Sequence, residues 1–155
     1  MKTNAARLLD TLEIDYQVLT YAVDPDDLAA ESTAVKLGLP LDQVFKTLVV
    51  RGDRHGVCLA VLAASAQLNL KGLAQLTHNR KIAPVPLKEV RPLTGYIRGG
   101  VTALACKKPY PTYVDEWIEV FDRIAVSAGA RGYMLWLSPQ DYIRAAKATV
   151  GSISL

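Results

Sequence analysis

The sequence predicts an α+β fold in which a mixed sheet is flanked by helices. Strand-like runs occur in adjacent pairs, and helical segments separate only some of them, which is not the strict alternation of a doubly wound domain. With 155 residues and no internal repeat or linker, the chain reads as one domain, 1–155, built on one core. Half the residues are hydrophobic and 21% are charged, the composition of a folded globular chain.

In chain order, Asn4 is a candidate N-cap for a helix over Ala5–Leu12, where Leu8, Leu9 and Leu12 recur at helical spacing. Tyr16–Tyr21 (YQVLTY) is rich in aromatic and branched residues and runs toward Asp24-Pro25, so it reads as a strand ending near a turn. Asp26–Leu37 returns to a helical pattern, with acidic residues at its start and Gly38 then Pro40 at its end. Val44–Arg51 and Val57–Ala63 are apolar strands joined by the polar, glycine-bearing RGDRHG, a hairpin expected at the centre of the sheet. Short helices are expected over Leu70–Leu76 and Pro86–Val90, then strands over Thr112–Val114, Ile124–Ser127 and Tyr133–Leu137. Pro139 opens a last helix to about Lys147.

A net charge of +3 permits an acidic partner, but Lys and Arg form no dense block that requires one. The N-terminal MKTNAARLLD lacks the apolar stretch of a signal peptide, and no apolar run approaches the roughly 18 residues of a membrane span. A cytoplasmic protein is expected. Cys58 and Cys106, the only cysteines, lie far apart and lack metal-ligand spacing, which suits reduced thiols and no metal.

Candidate chemistry centres on three segments. In VFKTLVV, strand alternation places Lys46 on the same face as Leu48 and Val50. A cation there either snorkels out at the strand end or meets an anion or carbonyl in a cleft, and periodicity alone favours snorkelling. In TGYIRGGVTAL, Gly99 and Gly100 allow close backbone approach and offer amide donors, with Val101 and the Thr102 hydroxyl beside them; a plain turn accounts for the pair equally. In VSAGARG, Ser127 and Gly129 follow a strand and face either a cleft or a structural turn. His55 falls in the hairpin turn and His78 in THNRK, neither beside a nucleophile, and no carboxylate pair has acid/base spacing. Lys107 and Lys108 could activate Cys106, but without a base nearby a bystander thiol is the better expectation.

Taken together, LLDTLEIDYQVLTY, KLGLPLDQVFKTLVV, TGYIRGGVTAL and FDRIAVSAGARGYMLWLSPQDY resemble, in order and spacing, the YbaK family of Cys-tRNA(Pro) deacylases. That family shares its fold with the editing domain inserted in some prolyl-tRNA synthetases. The resemblance spans nearly the whole chain and implies a partly barrel-like sheet in a YbaK-like single domain.

It also implies that Lys46 is the essential pocket lysine, Tyr21 a pocket wall, Gly99, Gly100, Val101 and Thr102 a loop near the aminoacyl ester, and Ser127 and Gly129 a second pocket loop. Such enzymes let the substrate's own cysteine attack its ester, giving a cyclic thiolactone, so no triad, metal or cofactor is expected. The implied partner is the acceptor end of aminoacyl-tRNA, Cys-tRNA(Pro) or also Cys-tRNA(Cys), with a prolyl-tRNA synthetase able to deliver it; neither membrane nor DNA is implied. The sequence differs from the family pattern at Thr102-Ala103, where relatives commonly carry serine then proline, and at Met134, where many carry a polar residue. Two alternatives stand beside this one: a deacylase of alanyl- or seryl-tRNA that uses water, and a non-catalytic module that binds an aminoacyl end or a synthetase.

Overall fold

The computed structural model describes residues 2–155. Helix α1 (Asn4–Thr11) begins one residue earlier than expected, because Thr3 is its cap and accepts the Ala6 N–H at 3.1 Å, while Asn4 has turned helical. Strand β1 (Gln17–Thr20) follows, then α2 (Ala30–Leu37). The expected start of α2 at Asp26 is corrected to Ala30: the Asp24 carboxylate accepts the Asp26 N–H at 3.0 Å, a local turn that competes with helix.

After a 3-10 turn come the hairpin strands β2 (Val44–Gly52) and β3 (Gly56–Ala63), α3 (Leu70–Leu76) and a short β4 (Ile82–Pro84). Helix α4 (Leu87–Thr94) has Pro86 at its cap and runs past the expected Val90 in spite of Pro92. Strand β5 (Thr112–Asp115), β6 (Ile124–Ser127) and β7 (Tyr133–Leu137) lead to α5 (Pro139–Ala146) and a closing β8 (Thr149–Gly151). Strands β4 and β8 escape sequence reading because each has three residues, and β4 ends on a proline. Beyond β8, the buried Asp115 carboxylate accepts the Ile153 and Ser154 N–H groups, each at 3.0 Å, and holds the last residues to the sheet.

The eight strands form one mixed sheet in the order β1-β7-β6-β2-β3-β5-β8, with β4 pairing β2 off this path. The sheet is open: β1 and β8 are its ends and do not pair, so the barrel-like closure is not present. The β2–β3 hairpin is central, as its long apolar runs predict.

Alternation divides β2 between the two faces. Phe45 packs with Leu9 of α1 and Tyr142 of α5 in the largest apolar cluster. Val44 packs with Ala34 of α2, and Val50 with Leu73 of α3. Burial of each such Leu- or Phe-sized side chain stabilises by about 1.5–3 kcal/mol. Lys46 therefore lies on the helical face carrying α2 and α3, at the seam between their two clusters.

Candidate functional site

The site arises where the sheet divides. One edge of β2 is paired throughout with β3, but the other is shared: β6 takes Val44 and Phe45, and β4 takes Val50 to Gly52. The Ala64 N–H donates to the Val44 carbonyl at 2.7 Å, so even-numbered residues of β2 hydrogen-bond toward β3 and odd-numbered ones toward the divided edge. In the gap, the Val49 carbonyl receives the Val85 N–H at 3.1 Å, while the Thr47 backbone points into the opening. Pro84 and Pro86 lie at the alternate positions that face away from β2, so they leave the β2–β4 ladder intact and keep the outer edge of this segment unpaired.

A cavity of about 330 Å³ fills this opening, with residues 44–49 of β2 as its floor. Tyr21, Ala30, Thr33 and Met134 form the wall on the α2 side. Val85, Val90 and Val101 form the opposite wall, with Leu87, Arg98, Gly99 and Ser127 completing the lining.

Of the two placements open to Lys46, the cleft is the one found. Its Nζ donates to the Ala66 carbonyl at 2.8 Å and the Ala64 carbonyl at 3.3 Å, and lies 3.9 Å from Glu31 Oε1. The side chain is 24% exposed. An ammonium has three donors; two are taken by these carbonyls, which aim the third. Snorkelling loses because the turn after β3 brings two carbonyls to the ammonium without carrying it into water.

Tyr21 extends the β1–β7 pairing, its N–H donating to the Gly132 carbonyl at 3.0 Å, and Lys36 Nζ sits 6.0 Å from its ring centroid. The Ser127 hydroxyl accepts the Gly129 N–H at 3.1 Å, which leaves its own proton to donate. Gly99 has φ +86°, and a Cβ there would lie 3.1 Å from Leu28 Cδ2 and 3.4 Å from Arg131. Glycine thus satisfies both the left-handed backbone and the close approach.

Three of the expected residues stand outside the lining. The Gly100 amide is spent on the Ile97 carbonyl at 2.9 Å, and its α-carbon packs on the Ala130 backbone. Thr102 is fully buried beneath the loop, its hydroxyl nearest the Leu104 N–H at 3.4 Å. Gly129 has φ +91° and faces the Tyr96 ring. These three shape the loops behind the cavity, while Tyr21, Lys46, Gly99, Val101 and Ser127 meet in it.

Sequence reasoning missed the Val85–Val90 wall and the α2 contribution from Ala30 and Thr33. The Pro-Val-Pro run at 84–86 was the available signal, because alternate prolines with an apolar residue between them suit an edge segment paired on one side only. Cys106 lies outside the cavity lining, and burial pushes its thiol up to about 11, so the neighbouring lysines do not activate it.

This split-sheet α+β architecture, with a carbonyl-held lysine in an apolar cleft, defines a class that comparison with known proteins identifies. The chain belongs to the aminoacyl-tRNA editing domain family, whose model matches residues 24–145. It is 40% identical over 139 residues to the Enterococcus faecalis protein named "Putative Cys-tRNA(Pro)/Cys-tRNA(Cys) deacylase EbsC", covering 90% of this chain and 85% of that one. It is 30% identical over 145 residues to the Escherichia coli "Multifunctional Ser/Thr-tRNA deacylase ProXp-y", covering 90% and 84% respectively. The fold is shared with a solved structure described as "a putative trans-editing enzyme for prolyl tRNA synthetase", at TM-score 0.84 and 23% identity over 100% of this chain and 99% of that one.

Proposed function

We propose that the protein is a free-standing editing deacylase that removes cysteine from Cys-tRNA(Pro), and also from Cys-tRNA(Cys). The observation that carries this reading is the cavity lining: it holds a fixed lysine and the hydroxyls of Tyr21, Thr33, Thr47 and Ser127 but no histidine or cysteine, and the carboxylate beside it, Glu31, is turned to Lys46 at 3.9 Å. A substrate bringing its own nucleophile suits such a site. The cysteinyl sulfur attacks the ester carbonyl carbon, the bond from that carbon to the ribose oxygen breaks, and the thiol proton ends on that oxygen. The products are a cyclic thiolactone and free tRNA.

Lys46 in this scheme orients and polarises the ester with its third N–H, its two carbonyl contacts holding the ammonium so that little reorganisation is needed. Ser127 is placed to donate to the same group, Tyr21 to wall the aminoacyl side chain, and the Gly99–Val101 edge to admit the acceptor end. The relative named for Cys-tRNA substrates, at 40% identity, supports this choice of amino acid. The reaction belongs in the cytoplasm, where charged tRNA is found, and a prolyl-tRNA synthetase is the natural delivering partner.

The test is release of cysteine from Cys-tRNA(Pro) by purified protein, with spontaneous loss subtracted. Lys46→Ala is expected to lower the rate by roughly 10²-fold or more, the cost of removing one preorganised donor. No release above the spontaneous rate sinks the proposal. The Ser/Thr-tRNA deacylase relative favours a second reading, in which water attacks a seryl ester in the same cavity. Alkylating the substrate thiol separates the two, since only internal attack then stops. Binding without turnover across a panel of charged tRNAs would instead mark a non-catalytic module.

A further inference from the structure

At the cavity mouth two arginines are joined through the loop that carries Gly99. Arg98 lines the cavity, and Arg131 Nε donates to the Arg98 carbonyl at 2.8 Å. The Arg131 stem also packs on Gly99, within 3.4 Å of where its Cβ would stand. One N–H of Arg131 thus fixes the guanidinium, and its terminal nitrogens remain available.

Neither guanidinium comes within 4.0 Å of a carboxylate among the described residues; the ion pairs there are Lys2–Asp10, Lys46–Glu31, Arg51–Glu89 and Arg144–Asp141. Carboxylates are not lacking nearby. The segment bearing Asp24, Asp26 and Asp27 packs its Val23 and Leu28 against Gly132 and Gly99, beside both arginines. Asp24 is turned onto the Asp26 N–H at 3.0 Å, and Asp27 onto the Ser32 hydroxyl at 2.6 Å. The loop thus satisfies two of its acids internally and leaves the cations open. The exposed apolar side chain of Leu87 lines the same cavity, and the exposed Ile97 directly precedes Arg98.

We propose that Arg98 and Arg131 form a phosphodiester subsite at the mouth of the cavity, which grips the backbone of the acceptor strand next to the ester-bearing nucleotide. This rests on the proposed function and adds the orientation of the substrate. A guanidinium offers a planar fork that matches phosphate oxygens, and a phosphate here leaves the ester pointing inward to Lys46. The apolar border suits the faces of the terminal nucleobases. The aspartates one loop away weaken the attraction, which fits a product that must leave.

The experiment measures fluorescence anisotropy of an uncharged acceptor-stem minihelix ending in CCA, titrated at several salt concentrations. Wild type, Arg98→Gln, Arg131→Gln and the double variant are compared, with Arg7→Gln on α1 as the control for net charge. Each site substitution should make the dependence of log K on log salt shallower by about 0.7 per lost phosphate contact, and the double by about 1.4. Arg131→Lys keeps the charge without the fork, and should keep the slope while weakening binding. Turnover gives an independent readout: Arg131→Gln, at a residue outside the cavity lining, should lower kcat/KM on cysteinyl-minihelix but keep wild-type rates on 3′-cysteinyl adenosine, which has no phosphate.

Wild-type slopes in both single variants overturn the subsite, as does an equal loss of rate on both substrates, which would mean a disturbed loop. If the wild type turns over no charged substrate, the deacylase assignment fails, and the anisotropy series still decides the phosphate contacts.

Discussion

Gly129→Ala tests how the second loop is built. Gly129 has φ +91°, where an alanine costs roughly 1–2 kcal/mol from backbone sterics alone. The new methyl would also stand 2.8 Å from Tyr96 Cε1. Tyr96 is not free to retreat, because its hydroxyl donates toward the Leu104 carbonyl at 2.6 Å and the Ala105 carbonyl at 3.0 Å. Disturbing that anchor costs on the order of 1 kcal/mol more. The total is about 2–3 kcal/mol. Urea unfolding is the assay: with an m-value of about 2 kcal/mol/M, the midpoint should fall by roughly 1–1.5 M with the slope unchanged. Gly56→Ala supplies the comparison, since Gly56 has φ +76° and a Cβ there meets nothing within 4 Å, so it reports the backbone cost alone. A midpoint for Gly129→Ala equal to or above that of Gly56→Ala would refute the contact argument.

Two further outcomes concern buried groups. The Tyr142 hydroxyl is fully buried and has no hydrogen-bond partner among the described residues, facing the Thr47 side chain without bonding geometry; Tyr142→Phe should therefore leave stability unchanged or raise it by about 1 kcal/mol, seen as a Tm rise of roughly 2–4 °C, whereas a loss of that size would mean the hydroxyl is bonded. Burial pushes the Cys58 and Cys106 thiols up from 9.0 to about 11. The unfolded chain gives up these protons first, so stability is full below pH 9, falls between pH 9 and 11, and levels above that as far as the thiols are concerned. Tyr96, pushed up to about 12, extends the decline in the same sense. Urea midpoints across this range check the slope, and native-state alkylation should show a pH midpoint near 11 in place of 9.0.

Much of the fold was legible because its central elements obey strong local rules. The β2–β3 hairpin, α3, β6 and β7 lie within a residue of where apolar runs and turn residues put them. Where local chemistry competes with itself, the boundaries moved: Asp24 captures the Asp26 N–H and delays α2 to Ala30. The three-residue strands β4 and β8 carry too little pattern to stand out, and they exist only because β2 and β5 offer them edges. At the site, family resemblance picked out five residues that meet in the cavity, yet it did not separate them from Gly100, Thr102 and Gly129, whose side of the loop is set by packing on Ala130, Leu104 and Tyr96.

By itself, the sequence determined the alternating pattern of β2 and therefore which face Lys46 must occupy, because side-chain direction in a strand depends only on parity. Tertiary structure alone decided what that face contains. The division of one β2 edge between β6 and β4, and the carbonyls of Ala64 and Ala66 that hold the ammonium, are long-range pairings. Local spacing cannot encode them, since they depend on which strands the rest of the chain brings alongside.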